Sequence, residues 1–261
     1  MDFTIKKYNN LLKSLQNAGF FFQTFAGYHL QPHSRALILR HDVDAKPKNS
    51  LHFAQIQAEF GIVGTYYFRM VPQSWDESII REIVALGHEV GYHYETMDTC
   101  KGDVDKAYDE FCRNLEEFRK LTPVKTISMH GSPLSKFDNR DIWKKYDYKK
   151  LGILAEPYFD LDFNQIFYIT DTGRRWNGHK FNVRDKVIEE NSLSNNKFLR
   201  LRFRNTSDII NAVIEGRFPN RSMINFHPQR WNDKHLPWLK ELFWQNIKNQ
   251  GKRMLLALRN H

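Results

Sequence analysis

Beyond residue 35 the chain alternates short apolar runs with longer amphipathic stretches, and this alternation constrains the fold more than any other feature. The apolar runs at 36–39, 62–68, 88–92, 126–129, 152–154, 166–170, 198–203, 223–226 and 254–258 read as strands. The stretches at 49–60, 76–86, 103–121, 207–214 and 235–248 carry helical periodicity. Strand and helix in alternation imply a parallel sheet covered by helices, an α/β fold. A length of 261 residues suits a single barrel of such units, which commonly occupies about 250 residues. No Pro, Gly or Ser-rich linker divides the chain, so one domain is expected over 1–261, with 1–35 as a helical and strand extension. The least regular stretch, 158–196, is rich in Asp, Asn and Gly and is expected to cover the site.

In the extension, Ile5, Tyr8, Leu11, Leu12 and Leu15 recur at helical spacing among polar residues. This is an amphipathic helix rather than an export signal, and no run approaches the roughly 20 apolar residues of a membrane span, so a cytoplasmic location is expected. Cys100 and Cys112 are too few for a disulfide framework and are expected as free thiols. A formal net charge of +9 favours anionic partners such as phosphorylated sugars, acidic glycans, anionic lipid or nucleic acid. The basic residues are scattered; their densest cluster, Arg200, Arg202 and Arg204, alternates with Leu201 and Phe203 and reads as a strand with one basic face. With no recognition motif and no basic stripe interleaved with aromatics, nucleic acid is not the expected partner.

Several expected strands end in ionisable residues, in LILRHDVD, GHEVGYHYE, ISMHGSP, YITDTGRRW and INFHPQRW. The carboxyl ends of parallel strands line one crevice, so these residues converge although they are far apart in the chain. Asp42 and Asp44, two apart, point the same way if the chain is extended, and their repulsion is relieved by a cation; the plainer alternative is a turn or cap before Pro47. His93 and Glu95 share the same spacing, which makes His93 a ligand candidate, whereas His88 faces the opposite way and reads as a structural histidine bound to the backbone. His130 stands at a strand end before a Gly-Ser-Pro turn. His227, followed by Pro228, suits a general acid, and Asp171 could fix its tautomer or simply make an Asx turn. Trp176 and Trp231 follow strand ends and are candidates to stack on a sugar, with Arg175 and Tyr94 as further substrate contacts. No paired-cysteine, phosphate-loop, Gly-x-Ser-x-Gly or His-Glu-x-x-His motif occurs, which sets aside kinases, dinucleotide enzymes and serine hydrolases.

The order HDVD, GHEVGYH, MHG and NFHP, across roughly residues 36–258, resembles the polysaccharide deacetylase family with its NodB homology domain. The resemblance implies a distorted (β/α) barrel that hydrolyses N-acetyl groups on sugars or glycan precursors with a divalent metal such as zinc. It assigns Asp42 as base, Asp44 as metal carboxylate, His93 as metal imidazole and His227 as the acid that protonates the departing amine. Two positions depart from the pattern. Met97 stands where the family has a second metal histidine, and the family's Arg-x-Pro-x-Gly segment is here Ser128 to Pro133, without its arginine. Either His130 or Glu95 completes the metal set, or metal binding has been lost and the chain is an inactive carbohydrate-binding homologue.

Overall fold

The computed structural model describes residues 1–131, 135–176, 198 and 201–259, the stretch 252–259 as backbone only. Its elements are α1 (Ile5–Asn17), β1 (Phe21–Gln23), α2 (Phe25–Leu30), β2 (Ala36–Val43), α3 (Pro47–Glu59), β3 (Thr65–Phe68), α4 (Glu77–Ala85), β4 (Glu89–Tyr94), α5 (Thr96–Thr99), α6 (Val104–Arg119), β5 (Ile127–Met129), α7 (Pro157–Asp160), β6 (Phe167–Thr170), α8 (Thr206–Ile214), β7 (Ser222–Phe226) and α9 (His235–Arg259). The helices start where short polar side chains can hold a free backbone N–H: Thr4 caps α1, Asp76 α4, Asp103 α6 and Asn205 α8.

The strands form one parallel sheet in the order β5-β4-β3-β2-β7-β6, curled into an incomplete, distorted (β/α) barrel. β2 is its axis. β7 pairs with one edge from Leu37 to His41, while the other edge is shared by β1, along Ala36 to Ile38, and β3, along Arg40 to Val43. Because side chains alternate across a strand, each strand is sorted into two faces. Leu37, Leu39, Val43, Tyr66, Phe68, Tyr92, Tyr94, Ile127, Met129, Ile224 and Phe226 belong to the large core under the helices. Ile38, Tyr67 and Met223 face inward with Phe25, Ala155 and Ile166 in a second, smaller cluster. Gly91 stands on this inner face, where a Cβ would meet the Tyr67 ring at 2.5 Å.

α1 closes the outer core. Tyr8, Leu11, Leu12 and Leu15 are fully buried, and the Tyr8 hydroxyl joins Gln57 beside His41. His41 faces this layer, not the site, and burial pulls its pKa down to about 3. His88 also serves the backbone: it accepts from the Gly64 N–H at Nδ1 and donates from Nε2 to the Ala54 carbonyl.

Three expected strands are corrected. At 152–154 the chain instead leaves a 3-10 turn through Gly152, and its contact with the sheet is a single bridge between Thr126 and Ala155. Residues 254–258 lie within α9: Met, Leu and Ala favour helix, and a short apolar run does not by itself distinguish the two. At 198–203 the described residues, 198 and 201–203, pair with no strand, and Phe198 and Phe203 pack on Phe167; Arg200 lies outside the described residues. So do 132–134 of the Gly-Ser-Pro turn and 177–197 of the stretch expected to cover the site. Cys100 and Cys112 are free thiols. Among the described residues no helix is long and apolar enough to cross a membrane.

Candidate active site

The inward-facing alternate residues of β2 are Ile38, Arg40 and Asp42, so the apolar floor gives way to charge toward the strand's carboxyl end. Asp42 is buried, and each of its oxygens accepts a hydrogen bond. Arg40 donates Nε to Oδ1 (2.8 Å) and an Nη to Oδ2 (2.9 Å), and Asn225, inward-facing on β7, donates Nδ2 to Oδ2 (2.8 Å). Burial pushes the Asp42 carboxyl up, but Arg40, His93 and His227 more than reverse this and hold it well below the usual carboxylate range.

Asp44 lies just past β2, where the Ser74 hydroxyl holds the Val43 carbonyl and Lys46 turns the backbone left-handed at φ 54°. Three imidazoles approach its carboxylate. His93 Nε2 and His130 Nε2 each stand 3.8 Å from Oδ1, and His227 Nε2 stands 3.8 Å from Oδ2. His93 Nε2 also lies 3.9 Å from Asp42 Oδ2, so this ring sits between the two aspartates.

Each histidine meets a partner at its other nitrogen, through a hydrogen bond for His93 and His227 and through an ion-pair contact for His130. His93 donates Nδ1–H to the Ser128 carbonyl (2.9 Å), His130 Nδ1 lies 2.8 Å from Glu95 Oε2, and His227 Nδ1 lies 2.5 Å from Asp171 Oδ1. For His93 and His227 these bonds place the proton on Nδ1, and all three rings turn Nε2 toward Asp44. Burial holds His93 neutral, with a pKa near 4. His130 moves the other way: burial would lower it, but Glu95 and Asp44 raise it. Asp44 is held low by His227, His130, His93 and Arg230 against its burial.

The donor set matches a divalent cation in kind, two or three imidazole nitrogens and a carboxylate. One observation points the same way: Asp44 Oδ1 is shut off from solvent and accepts no hydrogen bond, a costly state for a carboxylate oxygen unless a cation meets it. As they stand, no three His, Cys, Asp or Glu side chains among the described residues enclose an ion. The 3.8 Å separations exceed the roughly 3.4 Å expected between ligands about 2.1 Å from a tetrahedral centre, a gap of a few tenths of an ångström.

The expected site residues divide into two groups. Asp42, Asp44, His93, His130, His227 and Asp171 meet at one end of the sheet. Glu95 stands behind them: Arg69 donates to both its oxygens (2.7 and 2.8 Å), and its other neighbour is His130, so it orients that ring instead of facing Asp44. Arg69 also donates to the Asp44 carbonyl (3.2 Å), which ties the ends of β2 and β4 across β3. Met97, on α5, packs into the outer core with its N–H held by Asn139.

Three substrate contacts need correction. Trp176 is 3% exposed, packed on Phe3 and Phe226 with its Nε1 donating to Thr206. Trp231 is 1% exposed and donates Nε1 to Asp171 (2.6 Å), so it braces the carboxylate and offers no face to a sugar. Tyr94 is fully buried on the outer face of β4, where its hydroxyl accepts from Trp143 (2.9 Å). Strand alternation explains Tyr94: its neighbour His93 takes the inner face. Arg175 is half-buried at the turn after β6.

Sequence reasoning passed over Arg40, Asn225 and Arg69. The first two stand two residues before Asp42 and His227, so the spacing argument that joined Asp42 to Asp44 would have found them. Arg69 carries no such signal.

No protein-family model matches the chain, and no curated protein matches it significantly. Among solved structures it is similar to the Xyl-CE4 domain of a multidomain xylanase from the hindgut metagenome of Trinervitermes trinervoides, at 15% identity and a TM-score of 0.39, over 82% of this chain and 84% of that one.

Proposed function

We propose that this chain is a metal-dependent hydrolase that removes an N-acetyl or related N-acyl group from a sugar or glycan precursor. The observation that carries this reading is the approach of three imidazole Nε2 atoms to Asp44, whose buried Oδ1 accepts no hydrogen bond. The strand-end motif order read from the sequence supports the same chemistry.

Asp44, His93 and His130 would hold the ion, with zinc the expected metal, and Glu95 and Ser128 fix the two rings from behind. A divalent ion supplies Lewis-acid activation of water and of the acyl carbonyl. Asp42, kept anionic and aimed by Arg40 and Asn225, orients the attacking water and accepts its proton. As the new C–O bond forms and the C–N bond breaks, His227 delivers a proton from Nε2 to the departing amine, while Asp171 steadies the imidazolium.

The alternative, a sugar-binding protein without chemistry, loses the aromatic platform it relied on, since Trp176 and Trp231 are both core residues. Elemental analysis with an acetate-release assay on N-acetylated amino sugars tests the proposal. The expected result is about one divalent ion per chain, lost in Asp44→Ala and His93→Ala together with acetate release. A metal-free, inactive wild-type chain after supplementation overturns it.

A further inference from the structure

The C-terminal helix α9 leaves much of its apolar surface facing outward. The side chains it turns into the protein include polar ones: Gln245 and Asn249 are buried, Asn249 donating Nδ2 to the Gly173 carbonyl (3.0 Å) and Gln245 donating to Glu241 (2.8 Å). Those it turns to solvent include large apolar ones, beside Lys240, Asn246, Lys248 and Gln250. Leu236, Leu239, Phe243, Trp244 and Ile247 are 44–80% exposed, and four of them recur at spacings of three and four, so they share one stripe. An exposed apolar stripe of this kind, with Lys240 set in it, marks an interaction surface.

Charge decides what covers it. α9 contains Lys240, Lys248, Lys252, Arg253 and Arg259 against Glu241 alone, in a chain of formal net charge +9. A second copy laid on the stripe would set this positive charge against itself. An anionic bilayer surface satisfies both features, since the acyl boundary takes Leu, Phe and Trp while the headgroups take Lys and Arg. We propose that α9 lies in the plane of the interface and docks this chain on membranes that contain anionic lipid. The helix is anchored beside the site: Lys46, two residues beyond Asp44, pairs with Glu241 at 3.9 Å, and Arg174 donates to the Trp238 carbonyl (2.8 Å). Docking therefore brings the end of the sheet that carries Asp44 near the membrane surface. The inference stands independently of the hydrolase reading.

The full chain is sedimented with vesicles of phosphatidylcholine, with and without phosphatidylglycerol. Binding is expected only where phosphatidylglycerol is present, weakened by salt and reduced at least about tenfold in Phe243→Glu and Ile247→Glu, with circular dichroism and thermal melting unchanged. Asp44→Ala is expected to bind vesicles as the wild type does, which keeps this test separate from metal and turnover. Indifference to lipid overturns the proposal. So does a dimer in sedimentation equilibrium that the same two substitutions dissociate, since the stripe then belongs to a second copy.

Discussion

Arg40 grips Asp42 from two residues earlier on the same strand, through two hydrogen bonds of 2.8 and 2.9 Å between side chains that are both buried. The guanidinium also lies over the rings of Tyr67 and Tyr158, at 5.4 and 5.5 Å, so the cation is held by ring faces as well as by the carboxylate.

Arg40→Met is expected to leave Asp42 buried without its counter-ion and to cost about 3–5 kcal/mol in denaturant unfolding. The double variant Arg40→Met/Asp42→Asn should recover much of that loss, because an unpaired buried charge is the expensive state. Arg40→Lys should fall between them, since an ammonium cannot match the two-point contact. Equal stability of the single and double variants would show that the pair is not coupled.

Asp171→Asn should preserve the fold but misplace a proton. Asp171 accepts from the His227 N–H (3.0 Å) and from Trp231, and it pairs with His227 Nδ1; an amide of the same shape presents its NH₂ to one of these donors. Where that NH₂ faces Nδ1, the ring keeps its single proton on Nε2 and loses the carboxylate that steadies the doubly protonated, proton-donating form. A loss of about 10²–10⁴ in kcat with KM little changed is expected for acetate release. Nitrogen-15 spectra of the His227 ring should show the tautomer exchange directly.

Glu156 offers a pH test. Its side chain is fully buried, accepts from the Met129 and Tyr158 N–H groups, and is pushed by burial up to about 7. A carboxyl whose folded pKa lies above its unfolded value binds more protons when folded, so its contribution to stability falls as pH rises from about 4.5 through 7. The full span is on the order of 3 kcal/mol. In Glu156→Gln this part of the slope is lost: the melting temperature should fall less than that of wild type between about pH 5 and pH 8. Parallel pH profiles for the two proteins would contradict the assignment.

How far the chain could be read in advance depended on what kind of force placed each residue. Helices whose apolar stripe meets the core, as in α1 and α6, sit within a few residues of their periodic stretches because burial and N-capping act locally. The strand-end residues converge because parallel topology forces them to, which brought Asp42, Asp44, His93, His130, His227 and Asp171 together. Trp176 and Trp231 went astray for a long-range reason: Phe3 and Tyr8, at the other end of the chain, cover Trp231, and nothing near residue 231 announces them. Met254 and its apolar neighbours misled for the opposite reason, since a run without polar breaks has no period to read.

The third ligand is the sharpest remaining test of the site. His130 turns Nε2 toward Asp44, whereas Glu95 is taken up by Arg69 and by His130 itself. His130→Ala should therefore abolish metal binding, while Glu95→Gln, which loosens the ring without removing a donor, should weaken affinity by about 10–100-fold. Met97→His should not rescue His130→Ala, because position 97 is 3% exposed within the outer core and its N–H is bound to Asn139. An imidazole there is buried without an evident partner, at a cost of about 1–3 kcal/mol. Isothermal titration with zinc across these variants reads the order directly. Metal affinity that survives His130→Ala but vanishes in Glu95→Gln would reverse the assignment, since the carboxylate would then have to swing off Arg69 to meet the ion.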